Sequence, residues 1–261
     1  MPMQISISNA IGGGGGAQGS GNRPSFASTN SFTFDGNDDT INVGATPLNL
    51  RFNRLDTFSF SAWVKIDTTQ QNVILSNQLA PSTNYRGYYF AVNSAKKVIV
   101  ILRSTTSDRF YFISTTDINT SQWYHIAFTY DGTATASGGN IYINGIADSL
   151  TTSGTLLGTM ESFDPLYLGC RSNADNFFNG NIDEVSIFNT ELSASDVTSI
   201  YNSGVPNDIS SFNPISWWRM GEAATYTGRE WVLTDQGSGG NDGFSNTIPA
   251  PPAQPSTDVP S

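Results

Sequence analysis

Two distant segments of the sequence share one pattern, and this pattern constrains the fold more than any other feature. Residues 31–43 have the sequence SFTFDGNDDTINV, and residues 178–188 have the sequence FNGNIDEVSIF. In both, apolar and polar residues alternate around a short acidic turn, as in β-strands with one buried face. Phe32 and Phe34, for example, share a face before the first turn. We therefore predict a β-protein whose sheets contain both segments.

The sequence between these segments repeats the same short alternation at regular intervals. Residues 57–65 (TFSFSAWVK) and residues 122–130 (QWYHIAFTY) are the clearest examples. Turn residues separate the strands: residues 94–96 predict one hairpin, and Asn144-Gly145 is the strongest short hairpin signal. Short strands at regular spacing with turns between them predict an all-β, antiparallel sandwich.

Six sequence blocks occur in an order that resembles a known family. They are FDGNDDTINV, FSFSAWVKI, QWYHIAFTYDG, IYINGIA, PLYLGC and FNGNIDEVSIFNTELSASDV. Together they resemble the laminin-G-like, concanavalin A-like lectin/glucanase superfamily, from about residue 31 to residue 204. The resemblance implies a jelly-roll β-sandwich in which the first and last strands pair. It leaves the function open, because this fold includes lectins, enzymes and purely structural modules.

The chain divides into three predicted parts. Residues 1–30 are a glycine-rich arm, which we expect to be flexible because glycine loses the most conformational entropy on ordering. Residues 31–205 are the concanavalin A-like sandwich. It includes one short helix, since Ser193 followed three residues later by Asp196 predicts a capped helix start. Residues 206–261 are a small C-terminal β extension with a proline-rich tail.

Composition argues against several classes of function. The chain has 12 basic and 22 acidic residues, a net charge of −10, and no basic run, so nucleic-acid binding is not expected. No apolar stretch approaches the roughly 20 residues of a membrane span. The first residues lack the basic and apolar regions of a secretory signal. The single cysteine, Cys170, is expected to be a small core residue rather than a reactive thiol.

Acidic residues are concentrated in the two turns of the paired segments. The first turn contains Asp35, Asp38 and Asp39, and the second contains Asp183. If the strands pair as the family resemblance implies, these carboxylates approach one another and repel unless a cation neutralises them. One interpretation is a calcium site, because calcium takes carboxylate and carbonyl oxygens from irregular loops. The other is ordinary turn chemistry, because Asp and Asn cap turns without a metal. No other cofactor is expected.

We expect no catalytic site. His125 is the only histidine, and a lone histidine in mid-strand is expected to be structural because it offers too few ligands for zinc. Glucanases of this fold carry a Glu-x-Asp-x-x-Glu or Glu-x-Asp-x-Glu strand that holds two carboxylates about 5 Å apart, and the sequence lacks it. Asp183 and Glu184 are adjacent in a predicted strand, so their side chains are expected to point to opposite faces.

Aromatic residues near loops predict two kinds of surface. One set is a candidate sugar platform, since aromatic faces stack on the C–H faces of sugars: Tyr85, Tyr88 and Tyr89. The other set is a candidate assembly interface in the extension: Trp217, Trp218 and Trp231. Because adjacent strand residues face opposite ways, one ring of the Trp217-Trp218 pair is expected to pack inward and the other to contact a neighbouring subunit.

The predicted function is adhesion without catalysis. The extension contains WWRMGE (217–222), DQGSGGNDG (235–243) and the tail STDVPS (256–261). With these segments it resembles extensions on structural proteins of marine bacteriophages, and both terminal parts suit docking on neighbours. We therefore predict a virion structural protein, a phage fibre or capsid-decoration subunit on the outer surface. It would assemble with itself or other virion proteins and display a lectin-like domain towards host polysaccharide. The alternatives are a bacterial surface or exported carbohydrate-binding adhesion module, and a cement protein that binds no sugar.

Overall fold

The computed structural model describes residues 26–79, 85–172 and 175–261. In these residues two antiparallel sheets accompany one α-helix, α1 (Ala194–Tyr201), and three short 3-10 helices (Leu48–Leu50, Asn202–Gly204 and Ser210–Phe212). The predicted all-β sandwich with one short helix is confirmed. Residues 1–25 of the predicted arm lie outside the described residues. Within the described ranges, no helix is long and apolar enough to cross a bilayer.

The strands, in chain order, are β1 (Phe32–Asp35), β2 (Ile41–Ala45), β3 (Phe58–Ile66), β4 (Asn72–Ser76), β5 (Gly87–Val92), β6 (Lys97–Arg103), β7 (Arg109–Asp117), β8 (Trp123–Tyr130), β9 (Gly139–Ile143), β10 (Ile146–Ala147), β11 (Leu150–Thr155), β12 (Pro165–Leu168), β13 (Asn179–Phe188), β14 (Ser216–Trp218), β15 (Ala224–Tyr226), β16 (Trp231–Leu233) and β17 (Gly243–Ser245).

The first sheet has seven strands in the order β1-β13-β3-β8-β9-β10, with β14 also paired to β13. β1 pairs with residues 179–182 of β13, and β14 pairs with residues 185–187. Because β3 occupies the other edge of β13, β1 and β14 follow one another along the same edge. The pairing of the first and last sandwich strands, which the family resemblance implied, is confirmed.

The second sheet has ten strands in the order β11-β7-β6-β5-β4-β12-β2-β17-β16-β15. Its last three strands come from residues 206–261, which also supply β14 to the first sheet. The tail then returns to β1, where Ser31 and Ser256 exchange two backbone hydrogen bonds of 2.9 and 2.8 Å. The C-terminal extension therefore adds strands to both sheets.

Alternation of apolar residues explains the core between the sheets. Phe60 from β3 meets Phe128 of the same sheet at 6.2 Å between ring centroids. From the opposite sheet it meets Phe90 at 6.0 Å and Tyr88 at 5.0 Å. Burying each side chain of this size stabilises the fold by roughly 1.5–3 kcal/mol. The rings that the sequence pattern assigns to one face therefore join the two layers.

Helix α1 packs on the outer face of the first sheet. Ser193 and Asp196 form a reciprocal capping box at its start, which confirms the predicted helix terminus. Val197 and Ile200 are buried against the sheet. The β9–β10 turn has positive φ at both Asn144 and Gly145, as in a type I′ hairpin, so the predicted hairpin is also confirmed.

His125 is buried beneath this helix. Its Nε2 is 2.8 Å from the Oγ of Ser61 on the neighbouring strand. Burial lowers the pKa of His125 to about 3, so the ring is neutral at physiological pH. These contacts fit the structural role expected from the sequence.

Candidate functional site

The first acidic turn brings Asp35, Asp38 and Asp39 together. Carboxylate oxygens from the three residues lie within 4.8 Å of one another. Asp35 Oδ1 accepts the backbone N–H of Asn37 at 2.8 Å, and Asp39 Oδ2 accepts the backbone N–H of Asp35 at 2.9 Å. Burial, together with the charges of Asp35 and Asp38, raises the pKa of Asp39 to about 6. The hydrogen bonds fit ordinary turn chemistry, while the converging carboxylates keep the calcium interpretation open.

Asp183 does not join this cluster, which corrects the four-residue calcium site predicted from the sequence. In the register of β1 with β13, Asp35 lies opposite Asn179, whereas Phe32 lies opposite Ile182. Asp183 therefore lies beyond the other end of β1. It is four residues from Asn179, roughly 13 Å along the strand. The two acidic turns belong to opposite ends of one strand pair.

The calcium interpretation predicts a change in melting temperature. Adding millimolar calcium to chelated protein should raise the melting temperature by a few degrees, with a dissociation constant on the order of 10⁻⁴ to 10⁻³ M. Asp38→Asn should abolish the rise because it removes an exposed carboxylate of the turn, whereas Asp183→Asn should preserve it. Differential scanning calorimetry measures both. A melting temperature that is indifferent to calcium in the unmodified protein would leave turn chemistry as the explanation.

A β-bulge brings Asp183 and Glu184 together instead of separating them. The register of β13 with β3 shifts between Asp183 and Ser186, and Glu184 has a φ of +51°. A bulge adds a residue and re-aims its side chains. As a result, carboxylate oxygens of Asp183, Glu184 and Glu222 lie within 4.8 Å of one another. The prediction that the first two point to opposite faces is wrong, because it assumed a regular strand.

Residues 26–31 cover this second cluster. Ser28 Oγ donates a hydrogen bond to Asp183 Oδ2 at 2.7 Å, and the backbone N–H of Asn30 donates to Glu222 Oε1 at 2.8 Å. The cluster thus lies in the gap between β1 and β14, beneath the chain that leads into β1. Its carboxylates hold this segment in place.

The charge of Glu184 is partly neutralised by residues of the extension. Its carboxylate accepts hydrogen bonds from Trp217 Nε1 and from Arg219 Nε, the latter at 3.1 Å. Burial nevertheless raises the pKa of Glu184 to about 7. Burial and the nearby Glu184 carboxylate raise the pKa of Asp183 well above its ordinary value. Both carboxyl groups are therefore buried and covered by residues of the same chain.

The three tryptophans proposed as an assembly interface lie inside the protein. Trp217, Trp218 and Trp231 are 5%, 0% and 3% exposed. The Nε1 of Trp218 donates to the carbonyl of Asn241 at 2.8 Å, and the Nε1 of Trp231 donates to that of Pro249 at 2.9 Å. The interface prediction is wrong for these rings, because each ring is buried and hydrogen-bonded within this chain.

The first two rings do face opposite ways, as predicted. Trp218 belongs to the core between the sheets, whereas Trp217 belongs to the cluster beside helix α1. Trp217 is also covered by Phe26, with 5.9 Å between ring centroids. The ring that was expected to contact another subunit is therefore covered by a segment of the same chain.

The three tyrosines proposed as a sugar platform separate in the structure. Tyr88 is buried in the core, where its hydroxyl donates to the Leu50 carbonyl at 3.2 Å. The prediction that Tyr88 contacts a sugar is therefore wrong, because Tyr88 is a core residue. Tyr89 faces the other side of β5, and its hydroxyl accepts a hydrogen bond from Gln71 Nε2 at 2.8 Å. The half-buried Tyr85 lies just before the same strand.

Tyr89 lines a pocket on the outer face of the second sheet. The pocket has a volume of about 220 Å³. It is lined by amide, guanidinium and apolar side chains around one phenol: Gln71, Gln78, Tyr89, Ile101, Arg103, Arg171 and Asn176. In the sheet register Ile101 lies opposite Tyr89, and Arg103 lies opposite Gly87. Strand alternation therefore places Tyr89, Ile101 and Arg103 on one face.

Two guanidinium groups approach the ring of Tyr85 beside this pocket. The Cζ atoms of Arg103 and Arg171 lie 5.3 and 5.1 Å from its centroid. Cations at this distance are attracted to the ring quadrupole. Tyr85 therefore helps hold both arginines at the pocket rather than presenting a free face for sugar stacking.

The arginines and amides of the pocket were not identified from the sequence. Arg103 follows Ile99 and Ile101 at alternate positions of one strand, which was the available signal that it shares their outward face. Nothing local in the sequence relates it to Arg171, 68 positions later (171 − 103). Only the folded sheet brings them to one pocket.

A family model described as the concanavalin A-like lectin/glucanases superfamily matches residues 35–198. No curated protein sequence matches the chain. Among solved structures, one similar protein is from Bacteroides ovatus ATCC 8483, and carbohydrate binding has been attributed to that protein by inference. It shares 18% identity with a TM-score of 0.60, and the alignment covers 86% of this chain and 60% of that one. The chain thus spans less than two thirds of that protein.

Two further solved structures are complexes with sugars. The CBM40 of a Ruminococcus gnavus IT-sialidase, bound to α2,3-sialyllactose, has 13% identity and a TM-score of 0.49, covering 67% of this chain and 100% of that one. Domain 4 of the arabinanase AbnA from Geobacillus stearothermophilus, in complex with arabinotriose, has 22% identity and a TM-score of 0.40, covering 57% and 69%. At these identities the likeness concerns the fold.

Proposed function

Because the chain belongs to the concanavalin A-like lectin/glucanase superfamily, we propose that it is a carbohydrate-binding module without catalytic activity. Its sugar site is the pocket formed by Tyr89, Ile101 and Arg103 on the outer face of the second sheet. The observation that carries the proposal is this pocket, in which polar side chains converge around a small apolar floor. Small-molecule sites are concave and use placed polar groups to fix the orientation of the ligand; this pocket is more polar than most, which suits a ligand rich in hydroxyl groups.

The chemistry of the pocket supports a sugar as its ligand. A volume of about 220 Å³ is below that of sites for drug-sized ligands and suits a single sugar ring. The amides of Gln71 and Asn176 offer both donors and acceptors, which hydroxyl groups require. Tyr89 is almost fully buried, so it offers its hydroxyl rather than its face. Recognition would therefore depend on hydrogen bonds more than on stacking.

The absence of catalysis is supported by where the carboxylates lie. Asp183 and Glu184 are buried on the first sheet beneath residues 26–31. The pocket is on the second sheet, and no acidic residue is among its described lining residues. Hydrolysis of a glycosidic bond needs two carboxyl groups beside it. A sugar in this pocket would be bound and released unchanged.

Filling the pocket should abolish sugar binding without unfolding the protein. Ile101→Trp places a larger side chain in the pocket, so binding to every hit on a glycan array should fall at least tenfold, as measured by isothermal titration calorimetry. The control is Ile113→Trp, because Ile113 is also half-buried on the outer face of this sheet but does not line the pocket. Equal binding by the two variants would place the sugar site elsewhere, and an array without hits would refute the function.

For the location of this module we propose the outer surface of a virion, as predicted from the sequence. Mass spectrometry of purified virions and of cell envelopes distinguishes it from a bacterial surface or exported adhesion module. A cement protein that binds no sugar would stabilise particles while failing the array. Self-assembly and contacts with other virion proteins belong to the same proposal.

A further inference from the structure

We propose that the sugar bound in this pocket carries a carboxylate, an inference that rests on the proposed function. The observation behind it is Arg103, which lines the pocket and is only 8% exposed. Its Nε–H has no hydrogen-bond acceptor among the described residues. A buried donor without an acceptor is costly, and the cost is greater for a charged group. A bound anion would compensate the charge of this buried guanidinium group.

The positive charge of Arg103 also lacks a counterion. Arg171 is paired with Asp175, with 3.0 Å between Nε and Oδ1. In the part of the chain that the structure describes, no carboxylate forms an ion pair with Arg103 or with Arg109. These two arginines lie opposite each other on β6 and β7. Burial lowers the pKa of Arg103; the interaction and hydrogen bond with Tyr111 oppose this shift, and the charges of Arg109 and Arg171 add to it. An anion at the pocket would offset this excess of positive charge.

A carboxylate fits this arrangement better than a neutral hydroxyl. A guanidinium presents parallel N–H donors that match the two oxygens of a carboxylate, and such charge-assisted pairs are about twice as strong as neutral hydrogen bonds. The contact of Arg103 with Tyr85 holds its guanidinium beside the pocket before ligand arrives. The chain as a whole has a net charge of −10, so attraction to polyanions must come from this local group of arginines.

Matched pairs of sugars test the proposal directly. Oligosaccharides of galacturonate, glucuronate, mannuronate and sialic acid are each compared by calorimetry with their carboxyl-reduced, neutral counterparts at about 0.15 M salt. At least one acidic member should bind about tenfold or more tightly than its neutral counterpart. Arg103→Gln should remove this difference. Arg103→Lys should only reduce it, because lysine keeps the positive charge but lacks the parallel N–H donors of the guanidinium group. Arg51→Gln is the control, since Arg51 contacts Phe163 away from the pocket.

The outcomes separate the two proposals. If neutral sugars bind as well as acidic ones and Ile101→Trp abolishes both, the sugar site stands and the carboxylate assignment is wrong. Binding confined to sulfated oligosaccharides would also overturn the assignment. If no sugar binds the unmodified protein, the proposed function itself fails. The comparison of sugars uses unmodified protein, so it remains decisive even if an Arg103 variant does not fold.

Discussion

Replacing Trp218 with alanine should lower the free energy of unfolding by about 3–5 kcal/mol, and the melting temperature by roughly 10 °C. The residue is fully buried in the core between the sheets, and β14 places it opposite Val185. Truncation would leave a cavity there and would also remove the 2.8 Å hydrogen bond to Asn241. Urea and thermal unfolding, followed by circular dichroism, measure the loss.

The matched control for this variant lies in the same extension. Phe244 is on β17 and is 44% exposed, so Phe244→Ala should cost less than about 1 kcal/mol. If the two variants lost similar amounts of stability, residues 206–261 would not contribute to the core as the structure indicates. A large loss for Trp218→Ala alone would show that the extension contributes to the stability of the core.

Stability should fall as the pH rises from about 4.5 to 7. The pKa of Glu184 is raised by burial from 4.5 to about 7, so in this interval the folded protein holds a proton that the unfolded chain has released. The stabilisation is complete below pH 4.5 and is lost as the pH passes through 7. At about 1.4 kcal/mol per pKa unit, the shift corresponds to a few kcal/mol for the coupled pair of Glu184 and Asp183. The raised pKa values of Asp39 and Asp183 act in the same direction.

Two carboxyl variants separate this effect from general titration. Asp183→Asn removes the neighbouring charge and one buried carboxyl, so the dependence of melting temperature on pH between 4.5 and 7 should become shallower. Asp258→Asn should leave that dependence unchanged, because hydrogen bonds to Lys65 and Trp123 lower the pKa of Asp258 despite its partial burial, so it titrates below this interval. A melting temperature that rises with pH in the unmodified protein would contradict the prediction.

Local patterns in the sequence predicted individual strands, one helix start and one hairpin, whereas the pairing of distant strands came from the family resemblance. Alternation around Phe32 and Phe34 indicated a strand with a buried face, and the family resemblance implied its pairing with β13. The capping box at Ser193 and the hairpin at Asn144-Gly145 were predictable because each depends on residues a few positions apart.

The errors concern features that depend on distant partners or on departures from regular geometry. Asp183 and Glu184 were assigned to opposite faces, but the bulge makes their carboxylates converge. One ring of the Trp217-Trp218 pair was predicted to contact another subunit, but Trp217 is covered by Phe26, a residue 191 positions earlier (217 − 26) that no local pattern relates to it. The pocket at Arg103 was missed for the same reason.

The return of the tail to β1 has a consequence for how the chain acquires its structure. The Ser31 hydroxyl donates to the carbonyl of Asp258, a residue 227 positions later, at 2.6 Å. Closing so large a loop costs entropy before any contact compensates for it, and chains dominated by such contacts fold slowly. During synthesis, the edge beside β1 stays unpaired until residues 256–258 have emerged from the ribosome. We therefore expect the pairing of the tail with β1 to be a late step of folding, with that edge exposed to chaperones until then.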